Sequence, residues 1–381
     1  MKILVLGAGK QGRAAAYDLL RNPEVEEIGI ADADAEALES TRAFLGDRRV
    51  SPQQVDALEA ETLVETLQPF DACLNAASAV HGLDITRAAI AAHTHLCDLG
   101  GSSEVLSRQL ELDTLAFERG VTVVPGCGLA PGLATLLAAH GIRRLDETQS
   151  VHIRVGELPR RPVGPLQFGL AFPVETLLER YSERAVLIRD GVRLSVEPLT
   201  EVEEIEFPEP YGTLEAFNTA GGLSTLPSTF AGKVRHMDFK SVRYPGHCAL
   251  VRPLFVLGFL RQEMETIGDL EVRPREVTAR LLEKMLPADG EDAVLLRVTV
   301  VGSKYGGRRR LEYELIDIAD TEAGLSATMR CTAFTASAVV QHLAAGKIGR
   351  HGVIPPERCL PEDEMIEQLR RRGLDIVQRQ S

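Results

Sequence analysis

Gly7-Ala8-Gly9-Lys10-Gln11-Gly12 follows an apolar run at 3–6 and leads directly into a helix-forming stretch. Three glycines at this spacing suit one local structure: a strand, a tight turn and a helix whose first turn lies open. Gly7 permits the turn, Gly9 lets backbone approach a pyrophosphate, and Gly12 lets the helix close onto the strand. The unpaired N–H groups at the helix start then form an anion site at the positive end of the helix dipole. Asp32 stands twenty residues beyond Gly12, at the end of the next apolar run, where a carboxylate accepts hydrogen bonds from ribose hydroxyls. It would repel a 2′-phosphate, and Ala33, Asp34 and Ala35 follow it with no arginine among them. The segment predicts a βαβ unit that binds NAD in preference to NADP through Gly7, Gly9, Lys10, Gln11, Gly12 and Asp32.

The alternation continues. Apolar runs at 3–6, 28–31, 50–55, 72–76, 95–99 and 121–124 are separated by helix-length stretches at 11–21, 34–45, 59–67, 82–92 and 103–119. Such a βαβα pattern specifies an α/β fold, a Rossmann-type doubly wound parallel sheet over residues 1–125. Carboxyl ends of strands face the ligand crevice in this architecture. Asn75 and Ala76 end the fourth strand and Asp98 and Leu99 the fifth, so all four are expected near the cofactor. Asp98 either reaches the reacting centre or caps a turn.

After Pro125 the pattern changes. The loop 125–132, PGCGLAPG, reads as an interdomain connection or a functional loop at a helix start, with Pro131 beside the cofactor. From about residue 150 hairpin signals appear: Asp190-Gly191 inside 185–196 and Gly306-Gly307 inside 294–318. Further strands are expected at 151–155, 202–207, 234–242 and 327–331, and helices at 173–181, 247–258 and 274–286. Residues 126–332 therefore form a second, α+β domain with a largely antiparallel or mixed sheet, for substrate binding, catalysis and dimerisation. A helix at 333–345, the Pro-rich stretch 352–361 and a polar helix at 362–372 make a C-terminal segment, 333–381, expected to pack back on the first domain.

Composition narrows the function classes. Acidic residues outnumber basic ones 55 to 42, a net charge of -13, which argues against binding nucleic acid through its phosphates. The six cysteines include no C-x-x-C pair, so neither a metal site nor a disulfide framework is expected, and a reducing cytoplasm suits them. No apolar run approaches the ~20 residues that span a bilayer.

Three later segments, GCGLAPG (126–132), NTAGGLSTL (218–226) and FKSVRYPGHC (239–248), stand beside DLGG (98–101) and the glycine loop. Together they resemble the saccharopine dehydrogenase-like oxidoreductases, and within that group the bacterial and archaeal lysine 6-dehydrogenases. One departure bears on the choice: many saccharopine-type members carry Gly-Leu-Asp-Pro-Gly where this chain has Ala130. The resemblance implies NAD-dependent oxidation of the L-lysine ε-amine, in lysine degradation. The resulting imine hydrolyses to allysine and ammonia, and the allysine cyclises to piperideine-6-carboxylate.

Such a site needs a carboxylate clamp, a partner for the α-ammonium and a base. Arg243 suits the clamp, since a guanidinium matches a carboxylate bidentately. Ser224 and Thr225 add donors, and Asp98 offers a negative charge. His247, with an ordinary pKa near ~6.5, is the titrating base, assisted by Tyr244 or Lys240. The bland readings are solvated charges for Lys240 and Arg243, a helix cap for His247, and packing or a cofactor-facing position rather than nucleophilic attack for Cys127. Two alternatives stand: a saccharopine dehydrogenase or reductase acting on a secondary amine between amino acids, and a non-catalytic NAD-binding protein. The expected partner is a small amino acid, and the expected assembly a homodimer or homotetramer paired through a sheet edge, with no nucleic acid and no membrane.

Overall fold

Apart from the strand Val50–Gln54, the short apolar runs of the first 125 residues form strands buried on both faces, as parallel sheets require. The computed structural model describes residues 1–287 and 291–381. These fall into two units: Met1–His140 with Met329–Leu374, and Gly141–Thr328 with Asp375–Ser381.

The first unit holds a seven-stranded parallel sheet. Its strands are β1 (Lys2–Leu6), β2 (Glu27–Asp32), β3 (Val50–Gln54), β4 (Ala72–Asn75), β5 (His95–Asp98), β6 (Thr122–Val124) and, late in the chain, β17 (Gly352–Val353). The order is β17-β6-β5-β4-β1-β2-β3. Strand order reverses between β1 and β4, so the crevice at their carboxyl ends is the topological switch point where ligands bind. Pro52 is tolerated because β3 is an edge strand. Helices Lys10–Leu20, Ala35–Leu45, Ala60–Leu67 and Gly82–Ala91 connect the strands. The stretch expected as one helix at 103–119 is two, Ser103–Leu110 and Asp113–Glu118.

Most of the C-terminal segment belongs to this unit. β17 pairs with β6 through Gly352 and Thr122, and the buried Asp18 carboxylate accepts from Ser337 Oγ at 2.7 Å and Arg372 Nε at 2.8 Å. The loop 125–132 also lies inside the first unit, and the division falls later, between His140 and Gly141.

The second unit is built on a nine-stranded mixed sheet. It contains β7 (Glu147–Pro159), β8 (Ala185–Arg189), β9 (Val192–Val196), β10 (Glu203–Phe207), β11 (Gly212–Asn218) and β12 (Val234–Arg243). A separate hairpin of β13 (Glu265–Ile267) and β14 (Leu270–Val272) precedes the long strands β15 (Asp292–Lys304) and β16 (Gly307–Ile318). The last strand, β18 (Val377–Gln380), pairs antiparallel with β16, so the final residues join the second unit rather than the first. β12 and β7 run parallel and the other pairs antiparallel. The β15–β16 turn is Tyr305-Gly306, with φ 51° and 74°, one residue earlier than the Gly306-Gly307 expected. Helices Val174–Ser182, His247–Val256 and Pro274–Met285 pack into one apolar cluster with Phe168 and with Phe217 of β11.

One expectation is overturned. Residues 327–331 are not a strand but the first turn and a half of the helix Ala327–Ala344. The Asp292 carboxylate accepts from the N–H groups of Ala327 at 2.6 Å and Thr328 at 2.9 Å, capping that helix start from far away in sequence. Among the described residues no helix is long and apolar enough to cross a membrane.

Candidate functional site

The glycine loop is shaped by three separate constraints. Gly7 has φ 98°, and its N–H donates to Ala31 O at 2.7 Å, which stitches the turn to β2. A Cβ on Gly12 would lie 1.8 Å from Gly7 O, so the helix Lys10–Leu20 packs on the loop only with glycine there. At Gly9 a Cβ would meet nothing within 4 Å: this face is open, the space a close-approaching ligand needs. The helix start has no side-chain cap and no acid in its first turn, so its N–H groups stay available to an anion. Asp32 Oδ2 accepts from Ala8 N–H at 2.6 Å and Oδ1 from Asp34 N–H at 3.0 Å, which pins the carboxylate at the end of β2 beside the loop. Gln11 Oε1 is buried with no hydrogen-bond partner, an acceptor left for a hydroxyl or amide donor. Open backbone, uncapped helix start and orphaned acceptor together fit a dinucleotide. Lys10 is exposed at the loop.

At the ends of β4 and β5, Asn75, Ala77, Asp98 and Leu99 line a cleft, and Ala76 N–H donates to Leu6 O at 2.7 Å. Asn75 Oδ1 accepts from Ala77 N–H, fixing that turn. Asp98 is buried and accepts three hydrogen bonds. Oδ1 accepts from the N–H groups of Gly100 and Gly126, both at 2.8 Å, and Oδ2 from Gln109 Nε2 at 2.8 Å. Burial raises its pKa against these bonds. Asp98 therefore ties two loops together, and the ammonium-partner role is not supported. Pro131 packs on Gly100, where a Cβ would lie 3.1 Å from Pro131 Cγ. Cys127 is fully buried, its thiol donates to Val124 O, and burial pushes its pKa well up, which suits packing.

In the second unit, strand alternation divides β12: Phe239, Ser241 and Arg243 face one way, Lys240 and Val242 the other. Arg243 is 1% exposed. Its Nε donates to Tyr181 Oη at 3.0 Å and its Nη1 to Val242 O at 2.8 Å, while Nη2 is buried with no partner. The guanidinium forms no ion pair among the described residues and lies 4.8 Å from the Phe168 ring centroid. Since Tyr181 accepts from Arg243, its hydroxyl proton is directed to His247 Nε2 at 2.9 Å. His247 Nδ1–H in turn donates to Leu166 O at 2.7 Å.

Every donor in this chain points the same way, which requires a neutral imidazole with its proton on Nδ1. Burial, reinforced by the nearby Arg243 charge, lowers His247 to about 3. This corrects the reading of His247 as a base titrating near neutrality: both nitrogens are engaged and the ring is fully buried, stacked on Phe217. Glu215 of β11 seats the helix that carries it, accepting from Gly246 N–H at 2.8 Å and Cys248 N–H at 2.6 Å.

The side-chain polar groups of Lys240 and Tyr244 bond elsewhere than to the His247 ring. Lys240 Nζ donates to Glu203 Oε2 and Glu201 O, both at 2.7 Å. Glu203 also pairs with Arg154 at 2.6 Å, and Arg154 with Asp238, which accepts from His152 as well. Burial alone would raise Asp238, but its bonds to His152 and Arg154 win and hold the carboxyl below its ordinary range. Tyr244 donates to Pro159 O at 2.9 Å within another apolar cluster, and burial pushes it to about 12. Ser224, with φ 47°, and Thr225 lie in the turn before the helix Leu226–Phe230. Their segment reaches the Arg243 face of β12 through Thr219 Oγ1 and Ser241 Oγ, 2.7 Å apart, but the group that touches the guanidinium is Tyr181. Tyr181 escaped the sequence reading because nothing near it marks it out beyond its place at the end of an amphipathic helix.

The family model described as the saccharopine dehydrogenase NADP binding domain matches residues 3–124, and the saccharopine dehydrogenase C-terminal domain matches residues 128–374. Saccharopine dehydrogenase (L-Glu forming) from Saccharomyces cerevisiae superposes with TM-score 0.80 at 16% identity, over 100% of this chain and 99% of that one. The homospermidine synthase of Legionella pneumophila, solved in complex with NAD, superposes with TM-score 0.67 at 11% identity, over 100% of this chain and 91% of its own. At these identities the likeness is one of fold, and the domain matches settle the kinship. The chain belongs to the saccharopine dehydrogenase family of oxidoreductases.

Proposed function

We propose that this protein oxidises the ε-amine of L-lysine with NAD, releasing ammonia and allysine, which cyclises to piperideine-6-carboxylate. The observation that carries the substrate class is Arg243. A buried cation without a counter-ion is costly, and an amino-acid carboxylate supplies the missing charge and accepts from the unpartnered Nη2. Tyr181 holds the guanidinium at Nε, and neutral His247 fixes the direction of the Tyr181 proton. When bound, the dinucleotide would supply the hydride acceptor for the amine-bearing carbon. Gly7, Gly9, Gly12 and the helix start would hold its pyrophosphate, and the Asp32 carboxylate would favour NAD by repelling a 2′-phosphate. With His247 held neutral and Asp98 engaged by Gly100, Gly126 and Gln109, the reacting amine sheds its proton to solvent, and turnover rises with pH towards the free-amine pKa of ~10.4.

A second reading, cleavage or formation of a secondary amine between amino acids, draws on the whole-chain likeness to a saccharopine dehydrogenase. Following NADH absorbance with lysine, ornithine, saccharopine and 1,5-diaminopentane, with ammonia assayed in parallel, separates the two. Lysine turnover with ammonia release is expected. Turnover of saccharopine alone, without ammonia, selects the second reading, and no turnover of any amine sinks both.

A further inference from the structure

An amino acid held at Arg243 brings an α-ammonium with it, and Asp98 is engaged by its own loops. The second unit carries another carboxylate, on the sheet face of Arg243. β7 and β12 run parallel with Val155 opposite Ser241, so Glu157 and Arg243 stand two residues further along on that face. Neighbouring strands lie ~4.8 Å apart, which makes the two residues near neighbours. One helix reaches both. In Val174–Ser182, Tyr181 bonds Arg243, and Arg180, the residue before it, bonds Glu157.

Glu157 is used differently from Asp98 and Glu215. Both oxygens of Asp98 accept from the protein, and so do both of Glu215, which stands opposite Arg243 on β11 and takes the N–H groups of Gly246 and Cys248. Glu157 is 4% exposed, yet only its Oε2 is engaged, by Arg180 Nη1 at 2.5 Å. Oε1 accepts from no donor among the described residues. A carboxylate offers about four acceptor sites, and an oxygen left unbonded in the interior is costly. Arg180 is itself held where it is. Its guanidinium lies 4.7 Å from the Phe172 ring centroid, and its carbonyl accepts from Ala220 N–H at 3.0 Å.

We propose that Glu157 Oε1 receives the α-ammonium of the substrate while Arg243 Nη2 holds its α-carboxylate. This rests on the reading of Arg243 as the carboxylate clamp, and extends it from a site for an acid to a site for an amino-acid head. A ligand with the carboxylate alone leaves Oε1 bare, and one with the amine alone leaves Nη2 bare. An α-amino acid answers both. The ammonium–carboxylate contact is a charge-assisted hydrogen bond in a buried setting, which separates the two kinds of acid by ~10–100-fold in affinity. Arg180 stays on Oε2 and acts as a positioning residue.

The test compares L-lysine with 6-aminohexanoate, which lacks only the α-amino group, in turnover and in calorimetric binding to the NADH-loaded chain. Glu157→Gln keeps the side-chain shape and an acceptor for Arg180, while Arg180→Gln breaks the same pair from its other end. The unaltered chain is expected to favour lysine ~10–100-fold, through KM more than kcat. Glu157→Gln should bring that ratio below about 3, and Arg180→Gln should keep it at ~10 or more. An unaltered chain that takes both ligands equally, a result that needs no variant, overturns the ammonium site and leaves the Arg243 clamp standing. A ratio that survives in Glu157→Gln, or falls alike in both variants, overturns it too. An unaltered chain that binds neither ligand sinks the clamp as well.

Discussion

Lys240 and Arg243 sit three residues apart on one strand, both buried and both cationic, yet they belong to opposite kinds of environment. Lys240 is closed into a net in which each charge meets its opposite: Glu203, Arg154, Asp238 and His152. Arg243, on the other face, has a tyrosine, a carbonyl and an empty Nη2. Neighbouring Arg180 sharpens the contrast, since it pairs with Glu157 at 2.5 Å. Where buried charge is compensated inside the protein, the group holds the fold. Where it is not, as at Arg243, the group is the one we propose a substrate carboxylate to compensate.

The contrast is most directly broken at Arg243 itself. Arg243→Ala should lower kcat/KM for lysine by ~10²–10³-fold, the loss of a desolvated charge pair worth ~3–5 kcal/mol, while leaving 1,5-diaminopentane turnover unchanged. An equal loss on both substrates would show that the residue does not read the carboxylate.

His247 gives the next largest effect, on stability. Its folded-state pKa of about 3 lies below the ordinary value, so the unfolded chain takes up the proton first. The stabilisation is present above pH ~6.5 and lost as pH falls towards 3, at about 1.4 kcal/mol per pH unit. Denaturant melts at pH 7 and pH 4 should therefore show the native protein losing ~3 kcal/mol more than His247→Gln, a difference that vanishes if the imidazole is not held neutral.

Tyr181→Phe keeps the ring and removes the hydroxyl that orients Arg243. KM for lysine should rise ~10-fold with kcat nearly unchanged, the signature of lost positioning in binding. A change in kcat alone would move Tyr181 from the clamp to the chemistry. The smallest effect on activity belongs to Lys240→Met: less than about 2-fold in kcat/KM, with ~1–3 kcal/mol of stability lost, the lower end reflecting the partial exposure of Glu203. An activity loss comparable to that of Arg243→Ala would erase the distinction between the two faces.

What could be read from the sequence was local. The glycine loop and Asp32 act within a few residues of their own strands, and the alternation that marks a parallel sheet is a short-range pattern, so the loop geometry and the sheet were both legible. Burial and partnership are not local. Nothing in FKSVRYPGHC tells Lys240 from Arg243, because Glu203 and Tyr181 reach them from other elements. His247 was placed but its protonation was not, since ring burial and the Arg243 charge are tertiary facts. The misassigned strand at 327–331 has the same cause: its cap, Asp292, lies 35 residues away. Asp98 was readable in both of its possible roles, and only Gly126 and Gln109 decide between them.

The last strand has a consequence for how the chain is made. β17 completes the sheet edge of the first unit at Gly352–Val353, and β18 covers the long strand β16 of the second at Val377–Gln380. β17 follows the second unit's Gly141–Thr328 in the chain and β18 follows β17, so neither sheet has all its strands before Val353 has been made. Until β18 is made, Leu311–Glu314 of β16 stand as an open edge, a template for pairing with other nascent chains. The same edge is uncovered by any change that displaces Val377–Gln380, which would leave Leu311–Glu314 of β16 without their partner strand.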